Sequence, residues 1–270
     1  MSEARFAVIG DPVAHSRSPG IHEAFAAQFG LAIGYERIAV PADELVEHLA
    51  ALHGQGYQGL NVTGPHKQAV MAACTGLSER AGRAGAVNTL LSRDGGWYGD
   101  NTDGEGLARD LARLGIELAG RRVLVLGAGG AARGIVEPLL AAGPDELVLS
   151  SRNPWKPEAL VPVFGDLGRY RPCTHHALKG DRFDLLINAT SIGHDGRFLR
   201  LPPGLAADGA VAYDLNYGPA HAPFANWARG QGIDAVHDGA GMLIEQAAAG
   251  FALWHGREPD TGPLHAPNGG

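Results

Sequence analysis

The chain has 270 residues, of which 45% are hydrophobic and 19% charged, and its formal net charge is -7. This composition is typical of a globular protein with one large or two modest domains and excludes a mainly disordered chain, and the negative charge argues against nucleic acid as the main partner. The sequence has no apolar run near the roughly 20 residues that cross a bilayer, no secretory signal and no C-x-x-C motif, so we expect a cytoplasmic protein with reduced thiols and no membrane partner.

The first hundred residues alternate strands with helices. Apolar runs predict strands at Phe6–Ile9, Tyr35–Val40 and Gly59–Thr63, with one helix at about 20–29 and another that ends near His53. Because strands that alternate with helices form parallel sheets, we expect a parallel sheet in this half of the chain.

The loop before the first helix is rich in hydroxyl groups. Ser18 precedes Pro19, a pattern typical of a helix N-cap followed by proline in the first turn. Ser16 and Ser18 also flank Arg17, and two hydroxyls around an arginine could hold a carboxylate at the start of the helix. The spacing alone favours the cap.

A second polar loop, N-V-T-G-P-H-K at residues 61–67, follows the third strand and leads into a predicted helix. It places an amide, a hydroxyl, an imidazole and an ammonium group at the carboxyl end of a strand, where open α/β sheets bind ligands. Lys67 is therefore either a lysine on a helix surface or part of a polar site, and the residues favour neither reading.

Residues 86–91 and 97–100 are predicted to form a β-hairpin. The segment N-T-D-G at residues 101–104 then opens a helix that extends to Leu114. Asp103 is most simply the N-cap of this helix. Because a second unit begins shortly afterwards, we expect the helix to join the two halves and its first turn to face the cleft.

The motif that organises the second half lies at residues 122–134, R-V-L-V-L-G-A-G-G-A-A-R-G. Val123–Leu126 predict a strand buried on both faces, and G-A-G-G-A-A after it fits the dinucleotide-binding pattern G-x-G-x-x-A. Gly127 permits the tight turn, Gly129 lets the backbone approach a pyrophosphate, and Ala132 keeps the next helix close to the strand. The strand before the glycines and the helix after them favour nucleotide binding over an ordinary tight turn.

The end of the next predicted strand, Glu146–Ser150, indicates which nucleotide is bound. An NAD site usually carries Asp or Glu there, whereas this chain has Ser151 and Arg152, with Lys156 close behind. A guanidinium can bind a 2′-phosphate, which a carboxylate would repel. We therefore expect NADP, the alternative being that Arg152 is a solvated surface charge.

The remaining sequence predicts two more buried strands, Phe183–Asn188 and Val211–Leu215, and a last helix from about residue 238 to Trp254. Gln246 falls off the apolar stripe of that helix, so it is either solvated or in contact with a ligand. Residues 154–168 give no clear prediction. H-E-x-x-H and G-x-S-x-G are absent, so neither a metal site nor a serine hydrolase is indicated.

Seven segments, in order along nearly the whole chain, resemble the shikimate dehydrogenases: G-D-P-V-A-H-S-R-S-P, N-V-T-G-P-H-K, A-G-A-V-N-T, G-D-N-T-D-G, G-A-G-G-A-A-R-G, I-N-A-T-S-I-G and D-G-A-G-M-L-I-E-Q-A. The resemblance implies an α/β fold with a three-layer substrate domain, residues 1–103 plus 239–270, and a doubly wound Rossmann-type domain, residues 104–238. It implies NADPH-dependent reduction of 3-dehydroshikimate to shikimate, in aromatic amino-acid biosynthesis, by a monomer or homodimer.

The resemblance also implies roles for individual residues. Lys67 and Asp103 are expected to be the catalytic pair. The residues expected to bind the substrate carboxylate and ring hydroxyls are Ser16, Ser18, Asn61, Thr63, Asn88, Tyr217 and Gln246. The residues expected to contact NADP are Gly127, Ala128, Gly129, Gly130, Ala131, Ser151, Arg152, Lys156, Asn188, Thr190, Leu215 and Gly239.

Two positions depart from the family pattern. Gly64 stands where a branched apolar residue is usual, three positions before Lys67, and glycine is expected to loosen the backbone that positions the lysine. Ser151 replaces the usual asparagine before Arg152. Two alternatives stay open. One is a quinate/shikimate dehydrogenase able to use NAD, which would be expected to have an acid near the end of the second strand of the dinucleotide unit, where this chain has none. The other is a non-catalytic homologue that senses such ligands, which Lys67 and Asp103 argue against and Gly64 keeps open.

Overall fold

A computed structural model describes residues 4–266. The chain forms two units: the first contains the chain up to Leu107 and from Leu243 onward, and the second contains Ala108–Met242. The strands are β1 (Ala4–Gly10), β2 (Ile33–Ala39), β3 (Tyr57–Val62), β4 (Cys74–Leu77), β5 (Thr89–Arg93), β6 (Gly96–Asp100), β7 (Arg122–Leu126), β8 (Glu146–Ser151), β9 (Tyr170–Thr174), β10 (Phe183–Asn188), β11 (Ala206–Asp214) and β12 (Ala235–His237). The helices are α1 (Ser18–Gln28), α2 (Leu45–Gly54), α3 (Glu79–Ala84), α4 (Asp103–Arg113), α5 (Gly130–Ala141), α6 (Trp155–Glu158), α7 (Val161–Phe164), α8 (Ala222–Gly230), α9 (Ala240–His255) and α10 (Gly262–His265).

The first unit is built on a six-stranded sheet in the order β2-β1-β3-β5-β6-β4. β1 pairs in parallel with β2 and β3, whereas β5 runs antiparallel to both β3 and β6. The prediction of a parallel sheet therefore holds for β1, β2 and β3 and for the pair of β4 with β6, and fails only where β5 pairs with its two neighbours. The hairpin reverses the chain directly, without the helical crossover that a parallel neighbour would need.

Alternation along β1 directs its side chains to two cores. Ile9 packs with Leu49 of α2 on one face of the sheet. Phe6 lies on the other face, where its ring is 4.8 Å from that of Trp254 in α9. Phe25 of α1 packs on the same α9 helix. The unit is thus a three-layer arrangement of helix, sheet and helix pair.

The second unit is a six-stranded, fully parallel sheet in the order β12-β11-β10-β7-β8-β9. This is the doubly wound order of a Rossmann fold, with β7 at the centre. Val123–Leu126 are completely buried, because helices cover both faces of such a sheet. The predicted fold class is confirmed.

Two local predictions are wrong. Ser18 is the first residue of α1 and not its N-cap, which is Arg17. The segment after Lys67 is a turn followed by a 3₁₀ helix, Ala69–Ala73, and not an α-helix. Proline at position 65 has no N–H to donate, which disfavours helical bonding through the loop.

Candidate functional site

Lys67 and Asp103 form an ion pair in the first unit. The Nζ atom of Lys67 lies 2.5 Å from Oδ2 of Asp103, and their side chains are 16% and 4% exposed. Asp103 begins α4, and its backbone N–H donates to the Asn101 side chain at 3.0 Å. A pair this far removed from solvent is screened little by salt and is held in one geometry.

The loop that carries Lys67 is held by bonds on both sides. The Lys67 carbonyl accepts the Val87 N–H at 2.7 Å. The buried His66 ring donates to the Val40 carbonyl at 2.7 Å. A Cβ atom at Gly64 would meet nothing within 4 Å. With glycine at this position, the Lys67 amine contacts the Asp103 carboxylate.

Asn88 is the centre of the polar network around this pair. Its Nδ2 donates to Oδ1 of Asp103 at 2.9 Å and lies 3.1 Å from Oε1 of Gln246. Its Oδ1 accepts the Thr102 N–H at 2.8 Å. Gln246 is 8% exposed and contacts Asn88, so it is not the solvated residue of the first alternative, and its contact with a ligand stays a prediction. All four residues lie in the first unit, where α9 brings position 246 beside α4.

The two serines of the first loop lie together. The Ser16 hydroxyl donates to that of Ser18 at 3.2 Å, and their residues are 7% and 3% exposed. The backbone carbonyl of Ser16 accepts a 2.7 Å bond from Nε of Arg37. Asn61, at the end of β3, accepts a 2.6 Å bond from the Tyr35 hydroxyl. Thr63 is half-buried, and its N–H donates to the Ile9 carbonyl at 2.9 Å.

A second ion pair supports the start of α4. Asp100 accepts two bonds from Arg80, at 2.6 and 3.1 Å, and its Oδ1 also accepts the Asn101 N–H at 2.7 Å. Burial alone would raise the pKa of Asp100, but the bonds from Arg80 and Ser78 outweigh it and hold that pKa below its usual value. The charged carboxylate therefore fixes the backbone at Asn101, one residue before Thr102. Sequence reasoning missed Arg80, Asp100 and Tyr35, because their partners are distant in the chain.

The glycine turn of the second unit has the geometry that a dinucleotide needs. Gly127 has φ +108°, and a Cβ there would lie 2.9 Å from the Ala189 carbonyl oxygen, so the turn requires glycine. Gly129 is the N-cap of α5, and a Cβ there would meet nothing within 4 Å. The N-terminus of α5, with its free N–H groups, is thus open to an anion.

Basic side chains lie in the first turns of α5 and just after the end of β8. Arg152 and Lys156 are exposed, and Ser151 is buried at 8% exposure. The Nε atom of Arg133 is buried with no hydrogen-bond partner among residues 4–266, and burial lowers the pKa of this guanidinium. A buried N–H without a hydrogen-bond acceptor is costly, and an anionic ligand could supply the acceptor. These residues fit an NADP molecule.

The other predicted cofactor residues follow the neighbouring strands. Asn188, at the end of β10, accepts bonds from the N–H and the hydroxyl of Thr190 at 3.1 and 2.7 Å. Leu215 follows β11, and its N–H donates to the Asn188 carbonyl at 2.9 Å. Gly239 lies so close to the Leu215 carbonyl that no side chain fits there. Tyr217, predicted to bind substrate, is half-buried in this second unit.

Residues 4–266 include no helix with the length and apolar character needed to span a membrane. The same part of the chain has no group of three or more His, Cys, Asp or Glu side chains placed to hold a metal ion.

Comparisons with known proteins agree with this geometry. Residues 8–90 match the family model described as the shikimate dehydrogenase substrate binding domain, and residues 239–266 match the shikimate 5′-dehydrogenase C-terminal domain. The chain is 48% identical over 270 residues to shikimate dehydrogenase (NADP(+)) of Xylella fastidiosa, covering 98% of this chain and 95% of that protein. Among solved structures, an Ael1 enzyme from Pseudomonas putida is 41% identical with a TM-score of 0.86, covering 97% of both chains. Shikimate 5-dehydrogenase from Thermus thermophilus, in complex with NADP(H) and shikimate, is 37% identical with a TM-score of 0.82, covering 96% of this chain and 95% of that one.

Proposed function

The chain belongs to the shikimate dehydrogenase family, and we propose that it catalyses the reversible, NADPH-dependent reduction of 3-dehydroshikimate to shikimate in aromatic amino-acid biosynthesis. The observation that carries the proposal is the buried contact of Lys67 with Asp103. Reduction of a ketone needs a proton donor beside the substrate oxygen, and an ammonium group held against a carboxylate can supply one.

The two residues divide the acid–base work. When bound, NADPH supplies the hydride. As negative charge develops on the substrate oxygen, the Lys67 ammonium donates a proton to it and stabilises the charge. Asp103 accepts a hydrogen bond from the lysine and keeps its amine aimed, while Asn88 holds the other carboxylate oxygen. In the reverse direction the same amine takes the proton of the hydroxyl.

The other first-unit candidates bind the substrate. The paired hydroxyls of Ser16 and Ser18 donate to its carboxylate. The ring hydroxyls of the substrate meet Asn61, Thr63 and Gln246, which offer amide and hydroxyl groups of both donor and acceptor type. Tyr217 of the second unit is a further substrate contact in this proposal.

The domain roles and the setting of the protein are part of the same proposal. Residues 1–103 and 239–270 form the substrate domain, and residues 104–238 form the NADP domain, which contributes the predicted cofactor residues from Gly127 to Gly239. The enzyme acts in the cytoplasm as a monomer or homodimer. Size-exclusion chromatography with light scattering determines which.

One assay tests the function. The purified protein is given shikimate or quinate with NADP⁺ or NAD⁺, and reduced nicotinamide is followed by absorbance. We expect turnover of shikimate with NADP⁺. Turnover of quinate with NAD⁺ at a comparable kcat/KM would identify the quinate/shikimate enzyme instead. Ligand binding by calorimetry without turnover by either cofactor would identify the sensor.

A further inference from the structure

A continuous chain of hydrogen bonds runs from Tyr35 to the catalytic pair. The Tyr35 hydroxyl donates to Oδ1 of Asn61 at 2.6 Å. Nδ2 of Asn61 lies 3.4 Å from the Thr89 hydroxyl, which donates to Oδ1 of Asn88 at 2.9 Å. Nδ2 of Asn88 donates to Asp103 at 2.9 Å. Every bond in this series can point the same way, toward the carboxylate.

The donors and acceptors leave little freedom in this series. Because Tyr35 donates to the amide oxygen of Asn61, the Asn61 NH₂ group must face Thr89. The Thr89 hydroxyl then directs its own proton to the Asn88 oxygen, so the Asn88 NH₂ group faces Asp103 at 2.9 Å. The other acceptors of this NH₂ group are Thr102 at 3.0 Å and Gln246 at 3.1 Å. Hydrogen bonds aligned in one direction polarise and strengthen one another inside a protein.

Tyr35 is well placed to be the fixed end of this chain. Its residue is 7% exposed, and burial raises the pKa of its hydroxyl well above the ordinary value, so the group remains a donor. The His22 ring stacks on it with centroids 4.7 Å apart and an angle of 12° between the planes. His22 is completely buried, and its ring also lies 5.0 Å from that of Trp254 with the planes tilted by 36°. Packed rings on one side of Tyr35 restrict where its hydroxyl can lie.

We propose that Tyr35 is a positioning residue for the Lys67–Asp103 pair, acting through Asn61, Thr89 and Asn88. The proposal rests on the function proposed above and extends it to a residue that touches neither Lys67 nor Asp103. Loss of the Tyr35 hydroxyl frees the Asn61 amide to turn over, and the change passes along the series to the carboxylate that holds Lys67.

The test compares Tyr35→Phe with Tyr57→Phe. The Tyr57 hydroxyl also forms hydrogen bonds, with Glu36 at 2.8 Å and Arg5 at 2.7 Å. Tyr57 lies in the same unit as Tyr35, at the start of β3, whereas Asn61 lies near the end of that strand. We expect Tyr35→Phe to lower kcat/KM for shikimate about tenfold, with an unchanged dissociation constant for NADP⁺, and Tyr57→Phe to match the wild type.

A second measurement needs no turnover. The chain has only three lysines, Lys67, Lys156 and Lys179, so protein labelled with ¹³C at lysine Cε gives a simple spectrum. Lys67→Arg identifies the Lys67 signal. We expect this signal to move in Tyr35→Phe and to stay in place in Tyr57→Phe.

The outcomes separate the two proposals. Absence of shikimate turnover by the wild-type protein would refute the proposed function, and the lysine spectra would still decide the role of Tyr35. A Lys67 signal that is unchanged in Tyr35→Phe, or that moves equally in Tyr57→Phe, overturns the inference. If Tyr35→Phe does not fold, Thr89→Val interrupts the same series and is held to the same outcomes.

Discussion

Replacing Asp103 by asparagine tests the catalytic pair while keeping the shape of the side chain. In the wild-type protein, each oxygen of the Asp103 carboxylate accepts a hydrogen bond from a different donor. Oδ2 accepts from the Lys67 ammonium at 2.5 Å, and Oδ1 accepts from the Asn88 amide at 2.9 Å. An asparagine side chain has one oxygen and one NH₂ group, so in Asp103→Asn one of the two donors must face another donor.

The size of the effect follows from burial. Asp103 is only 4% exposed, so solvent replaces little of the lost interaction. Breaking a buried ion pair by removing one partner costs about 3–5 kcal/mol. If that loss falls on the transition state, kcat/KM for shikimate decreases by about 10²- to 10⁴-fold.

The assay is the initial rate of NADPH formation from shikimate and NADP⁺, with binding of NADP⁺ measured by fluorescence. Asp94→Asn is the control, because it removes the same charge from an exposed turn of the same unit. We expect Asp103→Asn to bind NADP⁺ normally and to lose most of its rate, and Asp94→Asn to retain both. An Asp103→Asn enzyme with the kcat/KM of the wild type would refute the reasoning.

Three further predictions concern other parts of the chain. Burial lowers the pKa of His22 from 6.5 to about 3, so between these pH values the unfolded chain binds more protons than the folded one. His22 should therefore lower the free energy of unfolding by about 1.4 kcal/mol for each pH unit below 6.5, and denaturant titrations of His22→Phe should lack this pH dependence. Arg152→Gln should raise the dissociation constant for NADP⁺ about ten- to a hundredfold and leave that for NAD⁺ unchanged, as measured by calorimetry; an equal loss for both nucleotides would contradict a 2′-phosphate contact. Gly127 has a φ of +108°, so Gly127→Ala should lower the free energy of unfolding by about 1–3 kcal/mol and should weaken NADP⁺ binding. Gly64→Ala adds a Cβ that meets nothing within 4 Å, so this control should unfold at the wild-type temperature.

Much of the fold could be predicted because its signals are local. The buried strand Val123–Leu126 and the glycines after it are adjacent in sequence, and the structure confirms the strand, the tight turn and the helix that follows. β4, β9 and β12 were not predicted: β4 and β12 have only four and three residues, and β9 contains a proline, which weakens the strand signal. Each of them is an edge strand that pairs with one longer neighbouring strand of its sheet.

The candidate site was harder to predict from the residues alone. Spacing along the chain favoured neither reading of Lys67 and predicted that Asp103 is a helix N-cap. It could not predict their contact, because the two residues are 36 positions apart in the sequence. Tyr35 has the pattern of an ordinary strand residue. Tyr35 lies in β2 and Asn61 in β3, and β1 pairs with both strands. Phe6 of β1 is the register partner of Tyr35 on one side and of Gly59 on the other. The contact of Tyr35 with Asn61 therefore crosses an intervening strand. Gly59 has no room for a side chain beside Trp254, so this part of the sheet lies directly against α9.

The uniform direction of the second sheet has a consequence for how cofactor preference can change. Its strands β8, β7, β10 and β11 are neighbours, so the loops after them stand in a row about 14 Å long at one edge. Each loop can then meet a different portion of an extended coenzyme, with Arg152 at one end of the row and Leu215 at the other. Mutations in the loop after β8, which carries Arg152, would change one end of this row and leave the loop after β11 unaltered. The order of strands thus makes coenzyme choice and chemistry separately adjustable by evolution or by an engineer.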